Sequence, residues 1–228
     1  MFYVLLNLIG IEAGGLASLF LKRFISDRQV KSMLVIANLC MVAVGLQGAV
    51  ATRNSMLMIL SCVFGSVLGV ALDLDGRFQA LGGLLQRRFR SGSETFTKGF
   101  VTVFMIQAVG SMAIIGPLNV GLRGDASILL FKCVLDTAST LIYGALYGPS
   151  VMLSGPLVFL YEAAVFLLAG VIAPFLSPEM TGEISAIGSL LIFAISLDLL
   201  DILPVKVANY LPALLGPVVY YGVLRGVG

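Results

Sequence analysis

Long apolar runs fill almost the whole chain, and they constrain its fold more than any other feature. A helix that crosses a bilayer needs about 20 apolar residues, because the hydrocarbon core is about 30 Å thick. Hydrophobic residues make up 59% of the 228 residues and charged residues only 11%, whereas soluble domains carry roughly 25% charged residues. We therefore predict an all-α polytopic transmembrane helix bundle, forming a single transmembrane domain over residues 1–228.

The apolar runs predict about eight spans. In chain order they are residues 2–21, 32–51, 55–74, 99–118, 126–147, 151–176, 184–203 and 206–224. They group into a first three-helix unit at 1–74, central helices at 99–147 and a second three-helix unit at 151–228. The glycine-proline pairs at 148–149 and 155–156 leave open whether residues 145–156 form a loop or a re-entrant turn.

Basic residues are concentrated on one side of these spans. That side receives ten of them, namely Lys22, Arg23, Arg28, Lys31, Arg77, Arg87, Arg88, Arg90, Lys98 and Lys206. The other side receives three, namely Arg53, Arg123 and Arg225. Cytoplasmic loops carry the excess of Lys and Arg. We therefore predict a multi-pass protein of the cytoplasmic (inner) membrane with both termini outside the cytoplasm.

Residues 76–90 differ from the spans. Phe78, Leu81, Leu85 and Phe89 recur at helical spacing, and arginines lie largely on the remaining faces. This pattern is typical of an amphipathic helix on the cytoplasmic leaflet, although a solvated linker is the alternative.

Proline and an internal similarity set the last part of the chain apart. All eight prolines lie between Pro117 and Pro217. Because proline removes a helix donor, we mark Pro156, Pro212 and Pro217 as helix-break candidates and expect the eighth span to be broken. Such breaks line binding sites in transporters or are packing kinks, and the sequence leaves both readings open.

Helices 1–3 resemble helices 6–8. Residues 15–21 are similar to 170–176, and residues 32–37 to 189–194. The same alignment pairs Asn7 with Glu162 and Asn54 with Asn209. Because five spans separate the starts of the two units, the second would run in the opposite direction. The pattern indicates an inverted repeat, which is common in secondary transporters.

Ionisable side chains inside the predicted spans are the candidate binding residues. Lys132 and Asp136 lie four residues apart on one helix face and can pair. The pair is either a self-neutralising structural contact or one that substrate or protons open during transport. Glu162 has no partner nearby in the sequence, so we expect a lone deep carboxylate that favours its protonated form and could carry a proton. Asp198 lies one turn deeper than Asp201 in the seventh span.

Three further candidates are Glu12, Asn7 and Asn209. Glu12 would face Lys132 or a partner subunit, and the two asparagines supply polar atoms in or beside spans. The chain has no histidine, and its three cysteines lie in apolar runs without a Cys-x-x-Cys pair. We therefore expect no metal site, no cofactor, no nucleic-acid binding and no enzyme activity.

Four runs resemble one family. They are residues 98–102, 121–129, 132–136 and 206–213, which read KGFVT, GLRGDASIL, KCVLD and KVANYLPA. Over nearly the whole chain they are similar to the uncharacterised bacterial membrane proteins of domain of unknown function 554, the YqgA/YdfK-like group. The resemblance implies a bacterial cytoplasmic membrane protein described as a candidate transporter. It gives as recurrent motif positions Lys132, Asp136, Lys206, Asn209 and Pro212.

The same resemblance implies glutamine more often at position 162 and an apolar residue at position 12, so a proton-carrying role for Glu162 or Glu12 would not be shared across the family.

Two functions follow from the residues. The first is a secondary transporter or channel for a small solute or ion, working by alternating access around a site formed by helices 1, 5, 6, 7 and 8. The alternative is a non-transporting assembly or sensor protein. The lipid bilayer is the expected partner in either case. The glycine spacings Gly10–Gly14 and Gly65–Gly69 allow close helix approach, either within the chain or between the subunits of a homodimer.

Overall fold

The computed structural model describes residues 1–88, 95–109 and 112–227, and this part of the chain contains helices and no β-strand. The α-helices are α1 Phe2–Phe24, α2 Asp27–Ala49, α3 Ser55–Ala71, α4 Leu74–Arg88, α5 Phe96–Val109, α6 Met112–Arg123, α7 Ser127–Tyr147, α8 Ser154–Leu167, α9 Ala169–Ile172, α10 Pro178–Leu199 and α11 Gly216–Val227. Three 3₁₀ segments lie at Gly148–Leu153, Ala173–Phe175 and Val207–Leu215. The prediction of an all-α fold is confirmed.

Several helices have the length and composition of membrane spans. Within the described residues, four stretches are long and apolar enough, or up to six if two bent helix pairs each count as one span. The four are Phe2–Phe24, Arg28–Ala49, Ser127–Leu167 and Pro178–Leu199, and the bent pairs are α3 with α4 and α5 with α6. The count of eight spans stays a prediction.

The chain divides into two compact units. The first comprises Met1–Ala37, Phe78–Ala108 and Met112–Gly170, and the second comprises Asn38–Arg77, Val109–Ser111 and Val171–Gly228. Each unit combines early and late segments of the chain. The predicted three-helix units follow chain order instead, and they stay a prediction.

In the first unit, α1 lies closely against α7 because glycines line the contact. A side chain at Gly10 would meet Thr137, and one at Gly14 would collide with the Thr137 carbonyl. Further along both helices, Ser18 occupies the space beside Gly144. The contacts advance in the same direction, so α1 and α7 run parallel. The predicted close approach at the first glycine pair therefore occurs within the chain.

The chain then turns back along α1. Gly148 ends α7 with a φ of +74°, a conformation that favours glycine. After the 3₁₀ segment, α8 runs antiparallel to α1, since Gly155 lies beside Glu12 while Glu162 contacts Asn7. Residues 145–156 thus form the helical turn of an α7–α8 hairpin.

The three proline candidates differ in their local roles. Pro156 is the third residue of α8, directly after the 3₁₀ segment Gly148–Leu153, and the first turn of a helix needs no amide donor. The role of Pro156 as a helix break stays a prediction. Pro212 lies inside the 3₁₀ segment Val207–Leu215, and Pro217 is the second residue of α11. The expected division of the eighth segment is present, because a 3₁₀ segment gives way to an α-helix at Gly216.

The predicted surface helix at 76–90 corresponds to α4, and its last two residues lie outside the described part of the chain. Its apolar side packs on α5, where the ring centroids of Phe78 and Phe104 are 5.8 Å apart. Near the other end of the contact, the Thr97 hydroxyl donates to the Gln86 side chain over 3.1 Å. The amphipathic pattern therefore serves packing between antiparallel helices, and the placement of α4 on the cytoplasmic leaflet stays a prediction.

In the second unit, α2 runs antiparallel to α10. A side chain at Gly45 would meet the Phe193 backbone, and one at Gly48 would meet Ser189. Glycine again sets the approach between α3 and the last segment. Gly65 faces the Ala213 backbone, and Gly69 faces the Asn209 carbonyl. The second predicted glycine pair is thus also used within the chain, and the homodimer stays a prediction.

The pairs matched by the suspected repeat all run in opposite directions. They are α1 with α8 in the first unit, and α2 with α10 and α3 with residues 207–215 in the second. An inverted repeat requires this relation for each pair. The repeat itself stays a prediction.

Candidate functional site

Lys132 and Asp136 form an ion pair on the buried face of α7. The Lys132 ammonium contacts Asp136 Oδ2 one helical turn away, as the spacing predicts. Their side chains are 4% and 7% exposed. Both charges are therefore withdrawn from solvent and lipid, which a charged side chain tolerates only with partners.

Glu162 joins this pair from α8. Its Oε1 lies 3.2 Å from Lys132 Nζ, and its side chain is 0% exposed. The expectation of a lone carboxylate is therefore wrong. Lys132 lies between two acids, one on its own helix and one on the neighbouring helix. The antiparallel α7–α8 hairpin creates this contact between residues 30 positions apart in sequence.

Asn7 completes the cluster from α1. Its side-chain amide donates to Asp136 Oδ2 and to Glu162 Oε1, each over 3.0 Å. It is itself fully buried. We refer to Asn7, Lys132, Asp136 and Glu162 as the charged cluster. Three helices each contribute to it, so any change in their packing alters its contacts.

The charged cluster is neither electrically neutral nor fully hydrogen-bonded when all of its acids are ionised. With all three ionisable groups charged, one ammonium faces two carboxylates, and the sum is one negative charge. Two of its buried oxygens, Asn7 Oδ1 and Glu162 Oε2, have no hydrogen-bond partner among the described residues. Buried acceptors are nearly always satisfied in proteins. A hydrogen-bond donor or a positive charge would satisfy these oxygens.

Polar side chains continue from the cluster along α7. The Thr140 hydroxyl donates to the Asp136 carbonyl over 2.7 Å, and Gln107 of α5 donates to Thr140 over 2.9 Å. Both residues are buried, and Gln107 Oε1 has no partner in the described part of the chain. Thr140 was not among the sequence candidates, although its place one turn after Asp136 on the same helix face could have indicated it.

The other predicted site residues have different surroundings. Glu12 is half-buried beside Gly155, so it contacts α8 away from the Lys132 ion pairs. Asp198 belongs to the second unit, where its carboxylate accepts from the Val205 amide over 3.1 Å and holds the turn after α10. Asn209, also in the second unit, accepts from the Asp75 amide over 2.9 Å. A single site formed by five helices stays a prediction.

Sequence reasoning missed Glu183, which is 2% exposed in the second unit. Its carboxylate accepts from the Thr52 hydroxyl over 2.5 Å and from the Arg53 and Asn54 amides over 2.8 and 3.1 Å. These donors fix the turn between α2 and α3. The predicted seventh span begins at 184 and so excluded Glu183. The available signal was the helix start Ser177-Pro178, because Ser177 caps α10 by accepting from the Met180 amide.

Helices with the length and composition of membrane spans, together with charges buried between them, define an integral membrane protein. The chain belongs to the family described as "Protein of unknown function (DUF554)", whose model matches residues 3–221. The resemblance found in the sequence is confirmed.

Two relatives match over most of their length. The chain is 25% identical over 232 residues to "Uncharacterized membrane protein YdfK" of Bacillus subtilis (strain 168), covering 100% of this chain and 99% of that protein. It is 27% identical over 215 residues to "Uncharacterized protein YqgA" of Escherichia coli (strain K12), covering 92% of each. No solved structure matches the chain significantly.

Proposed function

We propose that the protein is a secondary transporter or channel for a small solute or ion. The charged cluster of the first unit supports this proposal most directly. A neutral ion pair in hydrocarbon needs only two charges. The third ionisable group adds a further desolvation cost, and it adds a net charge whenever all three groups are ionised. Buried charges in membrane proteins mark solute, ion or proton pathways.

The contacts of Lys132 suggest how such a site would work. Its ammonium already touches two carboxylates on different helices, Asp136 on α7 and Glu162 on α8. A bound solute or ion that changes the charge at one carboxylate would redistribute Lys132 toward the other. Because Asn7 links both acids to α1, this shift of the Lys132 ammonium would change contacts of all three helices.

The helix directions also support a transporter. The suspected repeat pairs Asn7 with Glu162, an offset of 155 positions, and these two residues are hydrogen-bonded. The same offset pairs Ser61 with Gly216, and these residues are in contact in the second unit. In an inverted repeat, matched residues meet only near the two-fold axis. Transporters with inverted repeats place their sites near that axis, at the midplane.

The setting follows from the sequence and is part of the proposal. We place the protein in the bacterial cytoplasmic membrane with both termini outside the cytoplasm, because basic residues are concentrated on one predicted side. Transport would draw on an ion gradient or on the gradient of the solute itself, without enzyme activity or a cofactor.

Reconstitution in liposomes tests the proposal. Wild-type protein is screened for flux of a broad panel of solutes and ions, beside liposomes without protein and beside the variants Lys132→Ala and Asp136→Asn. We expect flux for at least one solute or ion, abolished in both variants while their folded fraction by gel filtration stays unchanged. Flux equal to that of empty liposomes across the panel contradicts transport and favours an assembly or sensor role.

A further inference from the structure

We propose that Glu162 is a proton-binding site, at which the charged cluster holds one exchangeable proton on Oε2. The proton site extends the proposed function, because the proton would be the ion that such a transporter couples to solute movement. The site itself is defined by the atoms of the cluster and their partners.

The two oxygens of Glu162 differ in their surroundings. Oε1 accepts from the Asn7 amide over 3.0 Å and lies 3.2 Å from Lys132 Nζ. Oε2 is equally buried and has no partner among the described residues. An ionised carboxylate would leave this oxygen desolvated and without a donor, which is the costliest state for a buried acceptor. A proton on Oε2 removes the charge from that oxygen and turns it into a donor.

The cluster also needs the donor that this proton would provide. Asn7 directs its amide nitrogen toward both acids, so its Oδ1 is left without a partner in the described part of the chain. The O–H group of a protonated Glu162 would be an additional hydrogen-bond donor in the same cluster. One proton therefore neutralises the unpartnered carboxylate oxygen of Glu162 and adds a hydrogen-bond donor to the cluster.

The net charge of the cluster also calls for one bound proton. Lys132 contributes one positive charge, and Asp136 and Glu162 contribute two negative charges. One bound proton brings the sum to zero, which is the state favoured in a site of low dielectric constant. The Lys132 ammonium can then remain with Asp136.

Other groups around Glu162 do not supply the missing positive charge. On α1, Glu12 lies beside Gly155 and could add only negative charge. On α7, the Cys133 thiol donates to the Leu6 carbonyl, and on α8 the neighbour of Glu162 is the neutral phenol of Tyr161. Gln107 of α5 is neutral.

The helix α6 also packs beside this region, since Gly121 lies against Phe166 of α8 and Gly116 against Leu129 of α7. Its charged residue is Arg123, which lies at the helix end and is exposed. Of Lys132 and Arg123, it is therefore Lys132 that contacts both carboxylates.

A proton fits this site better than a metal cation. The Lys132 ammonium already occupies one side of Glu162 and contacts Asp136. A second cation bound to the same carboxylate would lie beside that ammonium and be repelled by it. A proton adds almost no volume. It is supplied by water at the membrane surface, it forms an O–H bond at Oε2, and it leaves by the reverse step without breaking any other bond.

Infrared spectroscopy of the whole protein in a detergent without carbonyl groups tests the site without any transported solute. The measured signal is the carbonyl stretch of a protonated carboxylic acid near neutral pH. We expect this band in the wild type, with a shift in heavy water and a loss as pH rises. Glu162→Gln should remove the band. Glu12→Gln is the matched control, because it alters a glutamate at the same α1–α8 contact, and it should keep the band.

Charge-changing variants sharpen the test. In Asp136→Asn, Glu162 would be the remaining acid beside Lys132 and should stay ionised, so the band should vanish although Glu162 is present. In Lys132→Met, both acids should be protonated, and the band should grow about twofold. These two variants and the pH titration of the wild type decide the question if Glu162→Gln fails to fold.

Three results would overturn the proton site. The first is a wild-type band equal to that of a folded Glu162→Gln variant, and the second is a band that Asp136→Asn leaves intact. The third is loss of the wild-type band on adding sodium ions but not choline, which would assign the site to a metal cation. A proton band that behaves as expected in a protein without solute flux would keep the proton site and reject transport.

Discussion

Lys132 lies between two carboxylates, and its removal leaves both acids buried without a cation, so that each acid must either stay ionised without a partner or take up a proton. Breaking a buried pair by removing one partner costs about 3–5 kcal/mol, because the remaining charge is uncompensated. We therefore expect Lys132→Met to lower the free energy of unfolding by about that amount. The measurement is reversible unfolding in detergent, followed by circular dichroism at neutral pH.

The double variant Lys132→Met/Asp136→Asn distinguishes this cause from lost packing. It removes one uncompensated acid along with the cation, so we expect it to be no less stable than Lys132→Met alone. Strictly additive losses would contradict the coupled cluster, because independent sites add and interacting sites do not.

At the residue scale, the sequence predicts contacts within one helix but not contacts between residues far apart in the chain. Lys132 and Asp136 are four positions apart, and the helix alone places them together. Glu162 reaches the pair only because the α7–α8 hairpin reverses the chain. Asn7 is more than 120 positions from both acids in sequence, and the sequence marks it through its amide inside an apolar run and through its alignment with Glu162 in the proposed repeat. Tertiary contacts of this kind have no local signal.

At the scale of the helices, we predict that glycines at close helix contacts are needed for stability. A side chain at Gly14 would collide with the Thr137 carbonyl, which cannot move without shifting α7. Overpacking of this kind costs about 1–3 kcal/mol, and we expect Gly14→Ala to lose that much stability in thermal unfolding. It should also weaken the cluster, because α1 carries Asn7.

Gly182 provides the matched control. It lies inside α10 with no atom near the position of an added side chain. Replacing an unconstrained helical glycine by alanine stabilises by up to about 1 kcal/mol. Equal destabilisation by Gly14→Ala and Gly182→Ala would contradict the close α1–α7 contact.

Helix existence was easier to predict than helix limits. The apolar runs placed α1, α3 and α7 within a few residues of their observed bounds. The start of α10 was missed by six residues, because Glu179 and Glu183 made its first turns look like a loop. The 3₁₀ form of Val207–Leu215 follows from Pro212 together with close packing on α3, and the second of these causes is not visible in the sequence.

For the whole molecule, the parallel course of α1 and α7 limits the topology. If both cross the membrane, the chain between them must cross an odd number of times. The candidate spans in that stretch number three, counting α2 and the two bent pairs. This agrees with the predicted orientation, in which α1 and α7 both run from the outside inward.

Single cysteines test that orientation. In a background without Cys40, Cys62 and Cys133, we expect a cysteine at position 53 or 123 to react with a membrane-impermeant maleimide in intact cells. A cysteine at position 23 or 98 should react only after the membrane is opened. The reverse pattern would invert the topology, and labelling of positions 53 and 123 from opposite sides would exclude the predicted span count.

Flux through liposomes containing matched glutamate variants tests the central claim most directly, namely that the charged cluster is the working site of a transporter. The solute is one that wild-type protein moves faster than empty liposomes allow. We predict that Glu162→Gln lowers its flux to that of empty liposomes, while Glu12→Gln, altered at the same helix contact, keeps wild-type flux. Equal flux in the two variants, both folded and equally reconstituted, would contradict the account.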